Sequence, residues 1–294
     1  MVLPIRNEAN FIAKTIKQLQ EQVYPRDRLE ILVVVGYSHD NTAAIVQEIA
    51  AQDERVRYLH NPKLWSSSAR NIGAKEATGD IITYIDGHTY IDNDQLLINI
   101  ARLIAEKEVS VLSRPQFLDT PENTTFQKAV SLARKSALGH GLDSTIYSDE
   151  DMYVNPTSAG ASYKREVFDK VGYFDEQFDA SEDYEFNYRV AQAGYRAFTS
   201  LQLAVYYYPR KSFGTLFKQM TRYGTGDSTS QTPPTQDRLD EPGVPANPQS
   251  NRNSSANLEH NGRCDTPGDQ YSAHNNHSQP EQSLQPARHA PNKP

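Results

Sequence analysis

The sequence predicts an α/β fold in which a mostly parallel β-sheet is flanked by helices, followed by a disordered C-terminal tail. Short runs rich in Val and Ile alternate with segments whose apolar residues recur at helical spacing, and this β-α-β order is typical of parallel sheets. From Ser228 to Pro294 the chain contains no Ile, Phe, Met or Trp. Such a segment cannot bury enough apolar surface to offset the entropy lost on ordering.

The regular alternation lies in the N-terminal half. Apolar, β-branched runs predict strands at 2–5, 30–35, 56–60, 80–86 and 109–112. Helical spacing predicts helices at 12–23 with Asn7 as N-cap, after the Asp-Asn-Thr turn at 40–42, and at 66–77 and 93–106.

The second half is less regular. Helices are expected at 126–138, 165–171, 183–193 and 216–223, and strands at 158–163 and 198–208. Gly194 is a suitable residue to end the helix at 183–193. We therefore expect one domain over 1–226 and a disordered, polar and Pro-rich tail over 227–294.

Composition excludes several classes of protein. The net charge of -7 argues against nucleic acid as the main partner, since that function needs a basic face. The single cysteine, Cys264, lies in the tail and cannot form a disulfide within the chain. We expect a cytoplasmic protein, because we find neither a membrane-spanning apolar run nor a signal-peptide core. A weak peripheral contact of 210–218 with the membrane surface is the open alternative.

Asp86 and His88 directly follow an apolar strand. In an α/β sheet the carboxyl ends of the strands are where ligands bind. Carboxylate and imidazole together can hold a divalent cation, Mn²⁺ or Mg²⁺, and the imidazole favours Mn²⁺. The alternative is an ordinary turn, for which Asp-Gly is common.

Glu182 and Asp183 open a predicted helix, and Glu185 follows them. One acidic residue there would be a plain N-cap, stabilised by the helix dipole. Two adjacent acids exceed what capping needs, so Asp183 is a candidate general base that accepts a proton from a hydroxyl group.

Three further residues near the C-terminal end of the domain form a Gln-x-x-Arg-Tyr unit: Gln219, Arg222 and Tyr223. Arg222 could hold a phosphate through a forked contact, and Tyr223 could stack on a ring. The alternative is an amphipathic surface helix. Arg70, near a predicted helix start, could likewise meet a phosphate or be an ordinary solvated arginine.

Taken together, the motifs resemble glycosyltransferase family 2, the inverting nucleotide-sugar transferases with a GT-A-type, Rossmann-like fold. The residues that carry the resemblance are 3–8 (Leu-Pro-Ile-Arg-Asn-Glu), 38–42 (Ser-His-Asp-Asn-Thr), 69–73 (Ala-Arg-Asn-Ile-Gly), 86–88 (Asp-Gly-His), 181–183 (Ser-Glu-Asp) and 219–223 (Gln-Met-Thr-Arg-Tyr). The form Asp-x-His resembles that of some bacterial exopolysaccharide glycosyltransferases. The likeness spans about 1–226.

The resemblance implies a role for each matched residue. Asp183 would be the catalytic base, and Asp86 and His88 would hold the metal. Residues on the acceptor side would be Gly160, Ala161 and Glu182. Residues that bind the nucleotide-sugar would be Pro4, Arg6, Glu8, Tyr37, Asp40, Arg70, Asp86, Gln219, Arg222 and Tyr223.

The resemblance also implies a reaction. A divalent cation would assist the transfer of a sugar, with inversion, from a nucleotide-diphosphate donor to a saccharide or lipid-linked acceptor in cell-surface polysaccharide synthesis. A UDP-sugar is the commonest donor in the family. The competing hypothesis is a non-catalytic nucleotide-sugar-binding domain, because Val35 replaces a usual acidic residue and both ends differ from relatives. A nucleotidyltransferase is less favoured, since 7–10 is not a glycine-rich basic loop.

Overall fold

The computed structural model describes residues 1–136, 146–147, 150–178 and 180–230, and their side chains as far as 221. The strands are β1 (Val2–Ile5), β2 (Ile31–Val35), β3 (Val56–His60), β4 (Ile81–Thr83), β5 (Thr89–Tyr90), β6 (Val111–Ser113), β7 (Gln116–Phe117), β8 (Met152–Val154), β9 (Gly160–Lys164), β10 (Ala197–Thr199) and β11 (Val205–Tyr207). The helices are α1 (Ile12–Gln20), α2 (Thr42–Gln52), α3 (Ser66–Glu76), α4 (Leu96–Glu106), α5 (Thr125–Lys135), α6 (Arg165–Val171), α7 (Glu182–Gln192) and α8 (Phe213–Ser230).

The N-terminal strands form the parallel part of the fold. β2 pairs in parallel with β1 on one side and with β3 on the other. A parallel bridge between Val2 and Tyr84 places the end of β4 beside β1. The order is therefore β3-β2-β1-β4, and it reverses between β1 and β4. A reversal of this kind opens a crevice at the carboxyl ends of the strands.

The later strands form the mixed part. A five-stranded sheet has the order β4-β9-β6-β10-β8, in which only β6 and β10 are parallel. A small third sheet has the order β5-β11-β7. The predicted strand at 198–208 is therefore two strands. A 3₁₀ turn at Leu201–Leu203 separates them. β10 belongs to the five-stranded sheet, and β11 belongs to the small third sheet.

Two apolar layers cover the two faces of the parallel strands. Because side chains alternate along a strand, Leu3, Val33 and Val35 enter one layer and Val2 and Val34 enter the other. Burial on both faces explains why β2 is apolar throughout. Val35 is thus a core residue.

The predicted cap at Asn7 was wrong. α1 begins at Ile12 with Phe11 in the N-cap position. Asn7 instead has a φ of 56°, in the left-handed region that asparagine tolerates better than most residues. Gly194, with a φ of 88°, follows the end of α7 as predicted.

The 226/227 boundary falls within α8 in the described part of the chain, and it stays a prediction. Most of the predicted tail, residues 231–294, lies outside the described residues. None of the described helices combines the length and apolarity that crossing a membrane requires.

Candidate active site

The loops after β1 and β4 meet where the strand order reverses. Glu8 follows β1, and His88 follows β4. The Glu8 carboxylate Oε1 lies 2.8 Å from Nδ1 of the His88 ring. The contact joins residues 80 positions apart, and it fixes the orientation of the imidazole at the strand edge where ligands bind.

The loop after β1 is also tied to the loop after β2. The Asn7 backbone N–H donates to the Ser38 hydroxyl at 3.0 Å, and the His39 N–H donates to the Asn7 side-chain oxygen at 2.8 Å. The Ala9 N–H donates to the Asp40 carboxylate at 3.2 Å. These reciprocal bonds make one rigid rim from two loops that are distant in sequence.

Asp40 and Arg6 contribute to this rim. Asp40 Oδ1 accepts hydrogen bonds from both the backbone N–H and the hydroxyl of Thr42, at the start of α2. Desolvation alone would raise the pKa of Asp40, but these bonds outweigh it and the pKa is lowered. Arg6 Nε donates to the carbonyl of Tyr37 at 2.9 Å. The Tyr37 side chain remains exposed, edge-on to His60.

Arg70 joins the strand end to the acidic helix start. Its Nε lies 3.1 Å from Glu182 Oε1, and one of its terminal nitrogens lies 3.7 Å from Asp86 Oδ1. The guanidinium also lies over the ring of Tyr84, 5.1 Å from its centroid. Burial would lower the pKa of Arg70, but the charges of Glu182 and Asp86 raise it. Arg70 is therefore a fixed cation between two carboxylates.

Arg70, Asp86 and Glu182 line one cavity of ≈ 290 Å³, whereas the predicted site residues Arg6, Glu8, Tyr37 and Asp40 do not. The cavity brings together six of the residues singled out from the sequence: Arg70, Asp86, His88, Glu182, Asp183 and Gln219. It places a strand-end Asp-x-His pair next to an acidic pair that is about a hundred residues later in the chain. That volume is near the lower end for a small-molecule site.

Glu182 and Asp183 differ in their surroundings although they are adjacent. Glu182 is buried against Arg70. Asp183 lines the cavity and accepts a hydrogen bond from the Tyr184 N–H at 2.9 Å. Desolvation in the cleft, followed by the charge of Glu182, raises the pKa of Asp183 to about 6, although Arg70 opposes the shift. A carboxylate with a raised pKa is suited to accept a proton.

Asp86 and His88 suit a divalent cation. Burial would raise the pKa of Asp86, but Arg70 and His88 hold it below the usual value, so the carboxylate is ionised. Glu8 engages one nitrogen of His88, which is the usual arrangement for a metal-binding histidine. Among the described residues no group of three or more His, Cys, Asp or Glu side chains forms a complete metal site. A cation would need further oxygen ligands, such as those of a diphosphate.

Other predicted residues lie outside this cavity. Pro4 pairs with Val34 within the parallel sheet. Gly160 and Ala161 belong to β9, where a Cβ on Gly160 would come within 2.4 Å of the Asn187 side-chain oxygen. Arg222 and Tyr223 lie on α8, but their side chains fall outside the described residues.

The cavity also contains residues that the sequence analysis missed. Arg134 on α5, Tyr207 at the end of β11 and Arg210 before α8 all line it. The Tyr207 ring lies edge-on to His88, with centroids 5.8 Å apart. None of the three lies in a recognised motif. The available signal for Arg134 was its place among the two basic residues, Arg134 and Lys135, in the last turn of α5.

The comparisons identify the family. Residues 1–172 match the model of the family described as "Glycosyl transferase family 2". The match covers more than half of the chain, and the chain belongs to this family of glycosyltransferases. The resemblance seen in the motifs is confirmed.

Two relatives illustrate the likeness. The chain is 33% identical over 231 residues to the succinoglycan biosynthesis protein ExoA of Rhizobium meliloti (strain 1021), covering 77% of this chain and 68% of the relative. It is 25% identical over 228 residues to a dolichyl N-acetyl-alpha-D-glucosaminyl phosphate 3-beta-D-2,3-diacetamido-2,3-dideoxy-beta-D-glucuronosyltransferase of Methanococcus voltae, covering 76% and 71%.

Solved structures confirm the GT-A-type fold. The mannosyltransferase PcManGT from Pyrobaculum calidifontis, in complex with GDP-Man and Mn²⁺, superposes with a TM-score of 0.59 at 21% identity, covering 83% of this chain and 64% of that one. TarS 1-349 of S. aureus, in complex with UDP, gives 0.53 at 20% identity, covering 70% and 58%. The chain therefore spans about three fifths of either structure.

Proposed function

We propose that the chain transfers a sugar from a nucleotide-diphosphate donor to an acceptor hydroxyl, with inversion and with the help of a divalent cation. The observation that carries the proposal is the single cavity that Arg70, Asp86, His88, Glu182 and Asp183 share. It combines an ionised carboxylate beside an oriented imidazole with a second carboxylate whose pKa is raised. Those are the two functions that such a transfer needs.

The donor diphosphate would lie at the strand edge. Asp86 and His88 would hold the cation, which would neutralise the charge that develops on the leaving diphosphate. The backbone rim formed by the loops after β1 and β2 would border the nucleotide, with Arg6, Tyr37 and Asp40 nearest to it. Arg222 would contact the leaving nucleotide from α8.

Asp183 would act on the acceptor. Its carboxylate would take the proton of the attacking hydroxyl while that oxygen bonds to the anomeric carbon. The bond from this carbon to the diphosphate oxygen breaks in the same step, and the nucleoside diphosphate leaves with the electron pair. A single displacement of this kind inverts the configuration at the anomeric carbon. Glu182, neutralised by Arg70, would position the helix start.

The finer assignments rest on the relatives. UDP, GDP-Man and Mn²⁺ are bound in the neighbouring structures named above. These ligands support a nucleotide-sugar donor and a divalent cation for this chain. A UDP-sugar is the first donor to test. ExoA supports a role in polysaccharide synthesis. The acceptor would be a saccharide or a lipid-linked saccharide. The exposed Phe213 and Phe217 on α8, near Lys211 and Lys218, would allow peripheral contact with the inner face of the plasma membrane.

The non-catalytic alternative is not favoured. Of the two features on which it depended, the unusual ends and Val35, the second packs in the apolar core and does not line the cavity. The side chains that the chemistry needs are present around that cavity.

The test is donor turnover by the Asp183→Asn variant, with Mn²⁺ present. Losing the base should lower the rate by about 10²–10⁴-fold, because the amide cannot accept the hydroxyl proton. The control is Asp169→Asn, an exposed carboxylate on α6, which should leave the rate unchanged. Equal turnover by wild type and the Asp183→Asn variant would sink the catalytic proposal.

A further inference from the structure

Arg114, which directly follows β6, is a buried cation whose hydrogen bonding is incomplete. The residue is 4% exposed. Its Nη2 donates a hydrogen bond to the Tyr84 carbonyl at 2.8 Å. Among the described residues, Nε and Nη1 have no hydrogen-bond partner, and no carboxylate forms an ion pair with the guanidinium. A buried charge without a counter-charge destabilises the folded state.

Two other arginines of low exposure are neutralised. The Arg55 side chain lies 2.6 Å from the Asp53 carboxylate, and that of Arg70 lies 3.1 Å from the Glu182 carboxylate. In each pair the attraction between the charges offsets their removal from water. Arg114 lacks this compensation, so folding stability does not explain why a cation occupies its position.

Arg114 holds the backbone that leads to Asp86. Its hydrogen bond joins the end of β6 to Tyr84, two residues before Asp86. Helix α3 holds the same tyrosine, because the Tyr84 hydroxyl donates to the Arg70 carbonyl at 3.3 Å. Burial would raise the pKa of Asp86, and Arg114 is one of the charges that hold it below the usual value. The guanidinium therefore acts on the carboxylate as well as on the backbone before it.

The same charge acts on Tyr207, which lines the cavity edge-on to His88. Desolvation raises the pKa of Tyr207, and Arg114 opposes that rise. Arg114 is thus close to two groups that line the cavity, although it does not line the cavity itself. It can affect a ligand through the groups that it holds rather than by direct contact.

We propose that Arg114 is a positioning residue for sugar transfer. Its hydrogen bond to the Tyr84 carbonyl holds the backbone just after β4, so that the Asp86 carboxylate is placed where the cation and the donor diphosphate bind. The inference rests on the proposed transferase function. Losing a residue that orients a metal ligand typically lowers metal affinity or activity about 10–100-fold.

The experiment measures the affinity of full-length variants for Mn²⁺ by electron paramagnetic resonance, in the presence of whichever of UDP, GDP or dTDP stabilises the wild type. Arg114→Met should weaken Mn²⁺ binding about 10–100-fold and lower kcat/KM for donor turnover. Its melting temperature should stay within a few degrees of the wild type, because the lost hydrogen bond and the removed buried charge have opposite effects. Arg114→Lys keeps a donor for the carbonyl and should recover part of the affinity.

The matched control is Arg165→Met. Arg165 also donates to backbone carbonyls, those of Ala77 and Gly79, each at 2.7 Å. These carbonyls precede the first residue of β4, at the opposite end from Asp86, and Arg165 does not line the cavity. The Arg165→Met variant should therefore lose stability but keep the Mn²⁺ affinity of the wild type.

The outcomes separate a positioning role from a structural one. Wild-type Mn²⁺ affinity in the Arg114→Met variant would overturn the proposal, and so would equal losses of affinity in the two Arg→Met variants. If Arg114→Met does not fold, Arg114→Lys is compared with Arg165→Lys. The first should bind Mn²⁺ several-fold more weakly than the second, and equal affinities would overturn the positioning role.

Failure of the proposed function would look different. It would appear as wild-type protein that neither binds Mn²⁺ together with a nucleotide nor turns over a donor, and the role of Arg114 would fall with it. An active wild type whose Mn²⁺ affinity does not depend on Arg114 would overturn the positioning role alone.

Discussion

Glu182 and Asp183, the adjacent carboxylates at the start of α7, have different partners. Arg70 lies 3.1 Å from Glu182 and leaves Asp183 without a direct cation partner among the described residues. Desolvation in the cleft and the charge of Glu182 then raise the pKa of Asp183 to about 6. The pair therefore provides one carboxylate held by Arg70 and one carboxylate that can exchange a proton near neutral pH.

The raised pKa of Asp183 predicts the pH dependence of the reaction. A general base must be ionised, and a pKa of about 6 means that Asp183 is protonated at lower pH. We expect kcat/KM to rise with pH through about 6 and then to level off. Measuring kcat/KM from about pH 5 to about pH 8 tests this. The Asp183→Asn variant should lose that rise, and a flat wild-type profile would contradict the prediction.

Arg70 predicts a large effect on stability. Arg70→Met would leave Glu182 buried without its counter-charge, which should reduce the free energy of unfolding by about 3–5 kcal/mol. Glu182→Gln in the same chain should restore part of that loss, as a double-mutant cycle in urea would show. As a control, Arg57→Met removes ion pairs to the more exposed Glu30 and Glu76, together with an exposed hydrogen bond to the Glu76 carbonyl, and should cost less than about 1 kcal/mol. Equal losses in the two Arg→Met variants would contradict this account.

Helix α3 positions Arg70, and its distance from the sheet is set by a glycine. A Cβ added to Gly73 would lie 2.2 Å from Cγ1 of Val2, which is fully buried in β1. The helix therefore packs on β1 more closely than any larger residue would allow. This close approach brings the Arg70 guanidinium within reach of the end of β4 and the start of α7.

Gly73→Ala is therefore expected to destabilise the protein, although alanine is the better helix former. Overpacking against Val2 should lower the free energy of unfolding by about 1–3 kcal/mol. The matched control is Gly214→Ala on α8, where an added Cβ meets nothing within 4 Å. That change should be neutral or stabilising by up to about 1 kcal/mol. Urea denaturation of both variants measures the difference, and equal stabilities would show that α3 can shift at no cost.

At the scale of the whole molecule, the reversal of strand order creates the site. β1 and β4 are neighbours, yet they are about 80 residues apart in the chain, and the loops after them meet through Glu8 and His88. The start of α7 lines the cavity from the mixed part of the fold, so the residues proposed to bind donor and acceptor come from different parts of one unit. Ligand binding should therefore stabilise the whole fold.

Nucleotide and cation together should raise the melting temperature of the full chain. At ligand concentrations of about 100 Kd the gain is about 2.7 kcal/mol, which corresponds to a shift of several degrees. We expect the shift with one of UDP, GDP or dTDP, and only when Mn²⁺ is present. The Asp86→Ala variant should lose this shift in melting temperature. The control is Asp80→Ala, which removes an exposed carboxylate just before the first residue of β4 and should keep the shift. No shift with any nucleotide at millimolar concentration would contradict the proposed donor site.

The sequence by itself determined the class of fold, the family and the short motifs. These are local signals: the continuous apolar, β-branched run of β2, the helical spacing of α4, and compact groups such as Asp86-Gly87-His88. The spacing of apolar residues indicates which side of a strand or helix is buried, and capping residues indicate where a helix begins. Both signals extend over only a few residues. The position of Asp86 at the end of a strand and of Asp183 at the start of a helix could therefore be predicted. The strand 198–208 was predicted as one because periodicity does not show which sheet a residue joins.

Only the tertiary structure decided which of these residues act together. Arg70 reaches Glu182 across 112 residues of sequence, and Arg134 and Arg210 enter the same cavity without any motif to announce them. Such contacts depend on strand order and on how closely helices pack, and neither is encoded in local spacing. Whether a charged side chain is paired by another segment, as Arg70 is by Glu182, is decided only when the segments meet.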